Sequence, residues 1–375
     1  MKNKSIHIWV AGVTQTGGIQ ILADSFIRAC AQASGDALAI FSKHDQTQDL
    51  NARYPRLLNF GFGDSHHSFR TLFFVIGTAW AVLWKKPEVL ICGHAHFLPL
   101  AVFFKMFFKL RVAVMVYGIE VWNLSSFQKK ILVQTDWILS ISRFTQNKIQ
   151  EQVKIPDERF FILPCTTDER KFYLKPLALT ELRQYLKIKP EFKILLSVSR
   201  LAQSERYKGH DFVLSTIPEI LKKHPNLCYV VVGDGDDRPR LEALVESLGI
   251  QENIRFAGRV KDEILPLFYQ GCDVFVLPSR GEGFGIVYLE ALFCGKPVIA
   301  SNADAAAEVL LQGKLGRLIA PDDKNQLVQA IHDSLTQSMS EDFLRQKAIE
   351  IYGHEKFLKN VKLFFETRLK NLCAV

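Results

Sequence analysis

The stretch that decides the fold is SRGEGFGIVYLEALFCGKPVIAS, residues 279–301. A short apolar run, Val274–Leu277, precedes it and has the length and composition of a buried strand. Within the stretch, a glycine-rich loop leads into a helix that begins near Phe284 and ends at Gly295, and Val298 starts the next strand. Strand, loop, helix and strand form a βαβ unit. The pattern therefore predicts an α/β fold that binds its ligand beyond the carboxyl ends of parallel strands.

Two acidic residues of this stretch are candidates for ligand binding. Glu282 lies in the loop, and Glu290 lies two turns into a helix that is otherwise apolar on every face. A buried carboxylate without a partner is costly, so Glu290 needs either a ligand or a basic side chain. The loop amides and the helix N-terminus attract an anion such as phosphate. This arrangement suits a ligand with several hydroxyl groups and a diphosphate; the alternative is a structural ion pair for Glu290 and a solvated Glu282.

The order of residues in this stretch resembles the donor-sugar motif of retaining glycosyltransferases. In that motif a Glu, a Phe-Gly pair and a second Glu occur in fixed order, and Glu282, Phe284, Gly285 and Glu290 match it position by position. The chain is therefore similar to glycosyltransferase family 4, whose members have the GT-B fold. The resemblance implies two doubly wound, Rossmann-like α/β domains facing a central cleft.

The length of 375 residues allows the two domains that this fold needs. We expect an N-terminal acceptor-binding domain at 1–175 and a C-terminal nucleotide-sugar-binding domain at 176–355. A final helix at 356–375 is expected to cross back to the first domain. The segment Lys171–Lys193, rich in Lys, Pro and polar residues, is the predicted linker.

Composition and charge narrow the class of partner. The net charge of +8 favours an anionic partner, and nucleotide-sugar phosphates or an anionic membrane surface explain it. Nucleic acid is not expected, because the sequence has no recognisable nucleic-acid module and no Arg-rich tract. The seven cysteines are odd in number and lack zinc spacing, which favours reduced thiols in a cytoplasmic protein.

In the second half, two basic residues fall where a doubly wound domain binds phosphate. Arg200 follows the predicted strand Ile194–Ser199, and Lys208 precedes a glycine and a helix. Arg offers a planar fork and Lys a point charge, a pairing suited to a diphosphate; two solvated surface charges are the alternative. The resemblance matches both residues to phosphate-binding positions. It also implies donor contacts at Val260, beside the nucleotide base, and at Ile286.

A Gly-Gly pair follows the first predicted strand. Gly17 and Gly18, preceded by Thr14 and Thr16, lie between the strand Ile6–Ala11 and a helical pattern. Glycines at such a turn let a ligand approach the backbone, although a simple tight turn is by itself the better explanation. The resemblance implies that Gly17 and Gly18 face the donor phosphates.

Polar residues also follow two later strands of the first half. His94 comes directly after one predicted strand, and Tyr117 and Glu120 come after the next, where a doubly wound fold binds ligands. The resemblance places contacts with the acceptor or the sugar there. Tyr117 stands where relatives often have His, which removes the basis for a His-dependent role. His94 and His96 are not expected to bind a metal, because no third ligand has matching spacing.

Two other positions bear on the chemistry. Asp234 and Asp236 look like a metal-binding pair, but the family has a similar turn without metal, so no metal site and no cofactor are expected. At Asp304 and Ala305 the family often has Gly-Gly, which is a departure from its pattern.

Two unusually apolar segments raise the question of a membrane. The aromatic runs Phe73–Trp84 and Phe103–Phe108 are too short to span a bilayer. Lysines near them, including Lys105 and Lys109, suit an interfacial helix, whereas a pair of core helices is the equal alternative. We expect peripheral attachment to the inner face of a membrane if the first interpretation holds.

The resemblance implies a retaining hexosyltransferase that takes a UDP- or GDP-sugar and a glycan or lipid-linked acceptor, in cell-surface polysaccharide or glycolipid synthesis. Arg200 and Lys208 would neutralise the leaving diphosphate, Glu290 would hold the ribose, and Glu282 would hold sugar hydroxyls and the developing positive charge. One alternative is a related subunit that binds nucleotide sugar without catalysis. Another is an NAD-dependent enzyme, but the chain lacks a complete G-x-G-x-x-G followed by an acid.

Overall fold

The chain forms two compact α/β units in the computed structural model. One unit contains the described residues up to Thr166 together with those from Glu355 onward, and the other contains Thr167–His354. The structure describes residues 6–14, 17–34, 37–337 and 339–369. The division therefore lies before the predicted domain boundary at 175, and the residues 370–375 of the expected final helix are outside the described part.

The first unit is built on a parallel sheet that has seven strands among the described residues. They are β1 (Ile6–Val10), β2 (Leu38–Ser42), β3 (Leu58–Gly61), β4 (Val89–Cys92), β5 (Arg111–Val116), β6 (Trp137–Ser140) and β7 (Phe160–Ile162). Their order is β3-β2-β1-β4-β5-β6-β7, and every pair is parallel. The order reverses between β1 and β4, which is the switch point of a doubly wound sheet.

The second unit repeats this order with a sheet of six parallel strands, all within the described ranges. They are β8 (Lys193–Val198), β9 (Leu227–Val232), β10 (Ile254–Gly258), β11 (Val274–Leu277), β12 (Val298–Ser301) and β13 (Arg317–Ile319). The spatial order is β10-β9-β8-β11-β12-β13, so the switch point lies between β8 and β11. The predicted class, two doubly wound α/β domains, is confirmed.

Helices connect the strands, as right-handed crossovers between parallel strands require. Over the described residues, and apart from short 3-10 turns, they are α1 (Gly18–Ser34), α2 (Thr47–Arg53), α3 (Arg70–Lys85), α4 (Leu98–Phe107), α5 (Ile119–Trp122), α6 (Ser126–Leu132), α7 (Arg143–Gln150), α8 (Ala178–Leu186), α9 (His210–Leu221), α10 (Arg238–Ser247), α11 (Leu265–Gly271), α12 (Ile286–Phe293), α13 (Ala306–Val309), α14 (Lys324–Thr336), α15 (Glu341–Tyr352) and α16 (His354–Arg368).

The cores explain why the central strands read as continuous apolar runs. Every residue of β4 and of β11 is buried, because helices cover both faces of each parallel sheet. In the first unit Trp9 of β1 is fully buried, and its ring lies 5.9 Å from that of Phe74 on α3 and 6.2 Å from that of Phe104 on α4. Both helices therefore pack on the same face of the sheet. Phe364 of α16 lies against Phe161 of the same unit, with ring centroids 5.3 Å apart.

The βαβ unit predicted from residues 279–301 is present as β11, a loop, α12 and β12. The helix is shorter than predicted: it begins at Ile286 and ends at Phe293. The segment predicted to be a linker contains α8, which packs on α11 so closely that a Cβ at Gly271 would lie 2.7 Å from the Ala178 carbonyl oxygen. That segment is therefore part of the second unit and not only a connection.

Candidate functional site

The switch point of the second sheet brings together the segments predicted to bind the donor. β8 and β11 are hydrogen-bonded neighbours, and Arg200 and Lys208 follow β8 whereas Glu282 follows β11. Lys208 Nζ contacts Glu282 Oε1, although the two residues lie 74 positions apart in the chain. A crevice at this place is where doubly wound sheets bind their ligands.

The Lys208–Glu282 pair is largely shielded from water. The exposed fractions of the two side chains are 14% and 12%. Burial by itself would lower the pKa of Lys208, but the charge of Glu282 and the hydrogen bond to it outweigh burial, so that the pKa is raised. Lys208 is therefore a cation at neutral pH. Lys208 Nζ also lies 5.4 Å from the centroid of the Tyr207 ring.

Asp304 orients the backbone of Glu282 and was not predicted as a site residue. Its Oδ2 accepts the Glu282 N–H at 2.7 Å, and its Oδ1 accepts the Ala306 N–H at 2.9 Å. Burial raises the pKa of Asp304 to about 7, and the charge of Glu282 adds to this. The sequence marked Asp304 only as a departure from the family pattern. In the structure this residue has a role: the Asp304 carboxylate holds the Glu282 loop through hydrogen bonds. A glycine has no side chain with which to make them.

Two glycines are required by the backbone of this site. Gly285 at the start of α12 has a φ of +86°, and Gly209 before α9 has a φ of +79°, which is the left-handed region that favours glycine. A Cβ at Gly209 would also lie 2.9 Å from the Pro278 carbonyl oxygen. These glycines let the Lys208 segment and the Glu282 loop approach each other.

Arg200 extends into solvent at the end of β8. Its side chain is 80% exposed and forms an ion pair with Glu205, whose side chain is mostly buried. The turn after β9 supports this segment, because Asp236 accepts the Gln203 N–H at 2.7 Å. Asp234 accepts the following backbone N–H at 3.0 Å. Both carboxylates of the Asp-Gly-Asp sequence therefore have hydrogen-bonding roles in the turn.

Glu290 lies on the buried side of α12. Burial raises its pKa to about 7, against the lowering effect of the neighbouring Tyr269 and of the charge on Lys171. Asp262 acts on the same carboxyl through its charge. Lys171 and Asp262 also line a cavity of about 310 Å³, together with Tyr173, Lys175, Glu263, Pro266, Leu267 and Gln270.

The remaining predicted donor residues differ in exposure. Val260, in the loop after β10, and Ile286, at the start of α12, are half-buried. Phe284 is buried, and its ring packs edge-on against Tyr352 with centroids 5.8 Å apart. The Phe284 side chain is therefore part of the core and anchors the loop between Glu282 and α12.

A hydrogen-bonded chain that was not predicted includes Ser199, next to Arg200, and His210, two residues after Lys208. His210, the first residue of α9, bonds Ser199 Oγ through Nε2 at 2.6 Å and the Tyr229 hydroxyl through Nδ1 at 3.2 Å. Burial lowers the pKa of His210 to about 4, so the imidazole is neutral at pH 7. The chain ties the end of β8 to the start of α9. Its members come from three elements, which no local sequence pattern reveals.

In the first unit, Gly17 and Gly18 lie between β1 and α1, and Gly18 is the first residue of α1. Thr16 is outside the described residues. The loop is held by Asp45, a buried residue that was not predicted. The Asp45 carboxylate accepts four hydrogen bonds from groups that follow β1 or end β2: Val13 N–H at 2.7 Å, Thr14 N–H at 3.1 Å, Thr14 hydroxyl at 2.5 Å and Ser42 hydroxyl at 2.7 Å.

His94, Tyr117 and Glu120 come together at the carboxyl ends of β4 and β5. The Tyr117 hydroxyl donates to the Gly93 carbonyl oxygen at 2.8 Å, and the ring is buried. The proton of the Tyr117 hydroxyl is therefore used within the protein. Glu120 accepts the Tyr117 N–H at 2.5 Å, and burial raises the pKa of Glu120 against the lowering effect of such backbone bonds.

The described residues lack two kinds of feature. No group of three or more His, Cys, Asp or Glu side chains in the described ranges is arranged to hold a metal ion. Over the same residues, no helix has the length and apolar character needed to cross a membrane.

Residues 180–351 match the family described as Glycosyl transferases group 1. The GDP-mannose-dependent alpha-(1-6)-phosphatidylinositol monomannoside mannosyltransferase of Mycolicibacterium smegmatis is 28% identical over 262 residues, which are 67% of this chain and 66% of that protein. The alpha-monoglucosyldiacylglycerol synthase of Streptococcus pneumoniae is 31% identical over 209 residues, which are 54% of this chain and 46% of that protein. The match thus spans less than two thirds of the length of each relative.

The fold also has solved counterparts. The Anabaena protein HepE, solved with UDP and glucose, is similar over 97% of this chain and 100% of its own, with a TM-score of 0.78 and 17% identity. The two doubly wound units have the GT-B fold. Residues 180–351 are similar to the group 1 glycosyl transferases, which agrees with the resemblance in the sequence.

Proposed function

We propose that the protein is a retaining glycosyltransferase that moves a hexose-type sugar from a UDP- or GDP-sugar to a glycan or lipid-linked acceptor. The observation that carries the proposal is the shielded Lys208–Glu282 pair at the switch point of the second sheet. The family of residues 180–351 and the UDP bound to the structurally similar HepE protein support a nucleotide diphosphate donor.

The donor diphosphate would replace Glu282 as the ion-pair partner of Lys208. A buried ion pair gains little net stability, because desolvation offsets the attraction between its charges. An entering diphosphate therefore competes well with Glu282 for Lys208. Arg200, exposed at the end of the same segment, offers a planar fork to the second phosphate. Glu282, released from Lys208, is then free to accept hydrogen bonds from sugar hydroxyls.

The proposed transfer breaks the bond between the anomeric carbon and the diphosphate oxygen. The acceptor hydroxyl oxygen bonds to the same face of that carbon, and its proton passes to the departing phosphate oxygen. Lys208 and Arg200 stabilise the negative charge on the leaving nucleoside diphosphate. Glu282 is held through its backbone by Asp304 and faces Lys208, so we assign it the stabilisation of the developing positive charge and not the role of nucleophile.

A lipid-linked acceptor has separate support. The names of both relatives describe lipid acceptors or products, phosphatidylinositol monomannoside in one case and glucosyldiacylglycerol in the other. In the first unit, α3 and α4 both pack against Trp9 on one face of the sheet and expose large apolar side chains. We define this apolar face as Phe69, Leu72, Phe73, Ile76, Trp80, Leu83, Trp84, Phe103, Met106 and Phe107, each close to half exposed or more.

The rim of the apolar face is basic, which suits an anionic membrane. Lys85 and Lys86 at the end of α3, and Lys109 and Arg111 after α4, are exposed, and Lys85 Nζ lies 4.1 Å from the centre of the Trp84 ring. Aromatic side chains with lysines at their edge are typical of interfacial helices. We therefore propose peripheral attachment through the apolar face, with the acceptor reached at the membrane surface.

The predicted contribution of Lys105 to this surface is revised. Its Nζ lies 2.6 Å from Asp136 Oδ2 and 2.8 Å from the Gln134 carbonyl oxygen. Asp136 also accepts the Val112 N–H at 2.7 Å. Lys105 therefore stabilises the junction of α4 with β5 and is not available to a lipid headgroup.

The experiment is a donor screen with the purified protein. UDP-glucose, UDP-galactose and GDP-mannose are each tested for release of nucleoside diphosphate, and NMR of the glycoside formed gives its anomeric configuration. We expect release from at least one donor and a product that retains the donor configuration. A donor that raises the melting temperature without any release would instead identify a non-catalytic nucleotide-sugar-binding subunit. An inverted product would refute retention.

A further inference from the structure

Each of the two cations assigned to the donor diphosphate is paired with a carboxylate. Arg200 Nη2 contacts Glu205 Oε1, and Lys208 Nζ contacts Glu282 Oε1. The side chains of Glu205 and Glu282 are both 12% exposed, whereas that of Arg200 is 80% exposed. Glu205 thus presents a mostly buried carboxylate to a cation that extends into solvent.

The four charged side chains form one cluster around the half-buried ring of Tyr207. Each of them acts through its charge on the Tyr207 hydroxyl, whose pKa is raised chiefly by burial. Glu205 also acts through its charge on Lys208. The two positive and two negative charges of the ion pairs cancel one another. An entering diphosphate adds negative charge to this cluster and competes with both carboxylates for their cations.

The segment that carries Glu205 is fixed to the turn after β9. The Gln203 N–H donates to Asp236 Oδ1 at 2.7 Å, and Arg206 Nε donates to Asp237 Oδ1 at 2.8 Å. The Asp237 side chain is 5% exposed, so this second anchor is shielded from water. Because both anchors flank Glu205, its carboxylate stays in place when its cation turns to a phosphate.

The two carboxylates differ in what replaces the cation that each one loses. In the proposed transfer, Glu282 exchanges Lys208 for hydroxyl groups of the sugar. The donor has no corresponding group assigned to Glu205. A mostly buried carboxylate that loses its cation costs free energy, which is regained when the cation returns. Departure of the diphosphate restores the pair between Arg200 and Glu205.

We propose that Glu205 competes with the nucleoside diphosphate for Arg200 and thereby promotes release of that product. Its effect is electrostatic: the carboxylate limits the affinity for the diphosphate without touching the reacting atoms. This inference rests on the proposed function, since it concerns the nucleoside diphosphate that the transfer leaves behind.

The test is calorimetric titration of the whole chain with UDP, GDP and inorganic pyrophosphate. Glu205→Gln removes the charge and keeps an oxygen that can accept a hydrogen bond from Arg200. It should bind each ligand that the parent protein binds about 3- to 10-fold more tightly, as expected for one partly screened charge. The gain should shrink at high salt, because Arg200 is exposed. Glu205→Ala removes the same charge and should also tighten binding.

Two further variants separate competition for Arg200 from a general effect of charge. In an Arg200→Gln background, Glu205→Gln should tighten binding by less than about twofold, because the two effects are coupled through one ion pair. Glu350→Gln is the matched control. It removes one negative charge from another ion pair of the second unit, in which Lys347 Nζ lies 2.6 Å from Glu350 Oε2. This variant should bind the ligands as the parent protein does.

Three results would overturn the proposal: weaker or unchanged binding by Glu205→Gln, an equal gain in Glu350→Gln, or a gain that persists in full without Arg200. Each of them leaves the proposed function standing, because the parent protein still binds a nucleoside diphosphate. Failure of the parent protein to bind UDP, GDP and pyrophosphate would overturn both. Tighter binding that requires Arg200 supports competition by Glu205.

Discussion

At the scale of single residues, Lys208 carries a charge that the fold shields from water. It is 14% exposed, and Glu282 keeps it protonated despite burial. If Lys208 neutralises the leaving diphosphate, Lys208→Gln should lower turnover roughly 100-fold or more, as loss of a charge-stabilising group does. The amide can still donate to Glu282, so the fold should survive. Steady-state release of nucleoside diphosphate measures the effect.

The control for this prediction is Lys222→Gln, because Lys222 follows α9 and is exposed. Its turnover should equal that of the parent protein, and urea unfolding of both variants shows whether either has lost stability. Turnover of Lys208→Gln within threefold of the parent would remove Lys208 from the proposed mechanism.

Glu290 gives a prediction about pH. Its pKa is raised from 4.5 to about 7 by burial, so between these values the folded protein binds more protons than the unfolded chain. The free energy of unfolding should therefore fall as the pH rises through this window, by up to roughly 1.4 kcal/mol per pH unit for one group. Glu290→Gln removes this titration. The difference in the free energy of unfolding, parent minus variant, should therefore be larger at about pH 5 than at about pH 8.

Urea unfolding at both pH values provides the measurement, with Glu246→Gln as the exposed control on α10. Asp304, whose pKa is also raised to about 7, titrates in the same direction in all three proteins and cancels in the difference. If the difference in the free energy of unfolding between Glu290→Gln and the parent stays constant with pH, the pKa of Glu290 is not raised in the folded protein.

Residue by residue, the sequence predicted the groups that sit in a recognisable motif and missed those that support them. Glu282, Lys208 and Arg200 could be found because spacing and strand position mark them. Asp304 and Asp45 could not, since each is identified by hydrogen bonds to loops distant in the chain. Burial, which raises the pKa of Asp304, is a property of the packed unit and not of a local pattern.

At the scale of elements, α3 and α4 have two different faces. Phe74 and Phe104 are buried against Trp9, whereas the apolar face on the other side is exposed. The sequence left core helix and membrane contact as equal alternatives, and the burial pattern shows a core role for one face. The apolar face is exposed to solvent, and the proposed membrane contact would cover it.

The prediction for this face concerns sedimentation with lipid vesicles. The protein should co-sediment with anionic vesicles at low salt, less at high salt, and not with neutral vesicles, because basic residues near an anionic surface contribute about 1 kcal/mol each. Lys85→Glu with Lys109→Glu should lower the bound fraction roughly tenfold or more. Trp80→Ser with Trp84→Ser should lower it through loss of inserted aromatic surface.

The matched control reverses the same number of charges elsewhere. Lys356→Glu with Lys359→Glu changes two exposed lysines of α16, which packs on Phe161 of the same unit. This variant should bind vesicles as the parent does. If the parent protein stays in the supernatant with anionic vesicles at low salt, the apolar face does not bind a membrane and a water-soluble acceptor becomes the better proposal.

Element boundaries followed the sequence where glycines and prolines mark them. β11 was predicted with its observed bounds, and α12 was predicted too long because Phe284 and Gly285 read as helix but serve the loop. β2 and β3 were not predicted, since short strands without flanking motifs have no distinctive period. α8 was hidden in a polar segment whose packing on α11 decides its place.

At the scale of the whole molecule, two units with the same strand order have different chemistry at their switch points. The second unit presents Lys208, Arg200 and Glu282, which suit a diphosphate and a sugar. The first presents His94, Tyr117 and Glu120 at the carboxyl ends of β4 and β5. Fold class could be predicted from one βαβ stretch because the doubly wound order repeats. The arrangement of the side chains after β4 and β5 could not, because it forms only in the folded sheet.

The last prediction concerns the independence of the reaction from metal ions. In the proposed transfer Arg200 and Lys208 offset the charge of the leaving diphosphate, which is the task of a metal ion in other transferases. Release of nucleoside diphosphate should therefore persist in excess EDTA, and added magnesium or manganese should change it less than about twofold. The competing assignment uses Asp234 and Asp236, whose carboxylates accept backbone N–H groups in the turn after β9. The same assay is run with Asp236→Asn. Complete loss of release in EDTA, restored by manganese in the parent protein but not in Asp236→Asn, would transfer the role from the two cations to a metal bound at that turn.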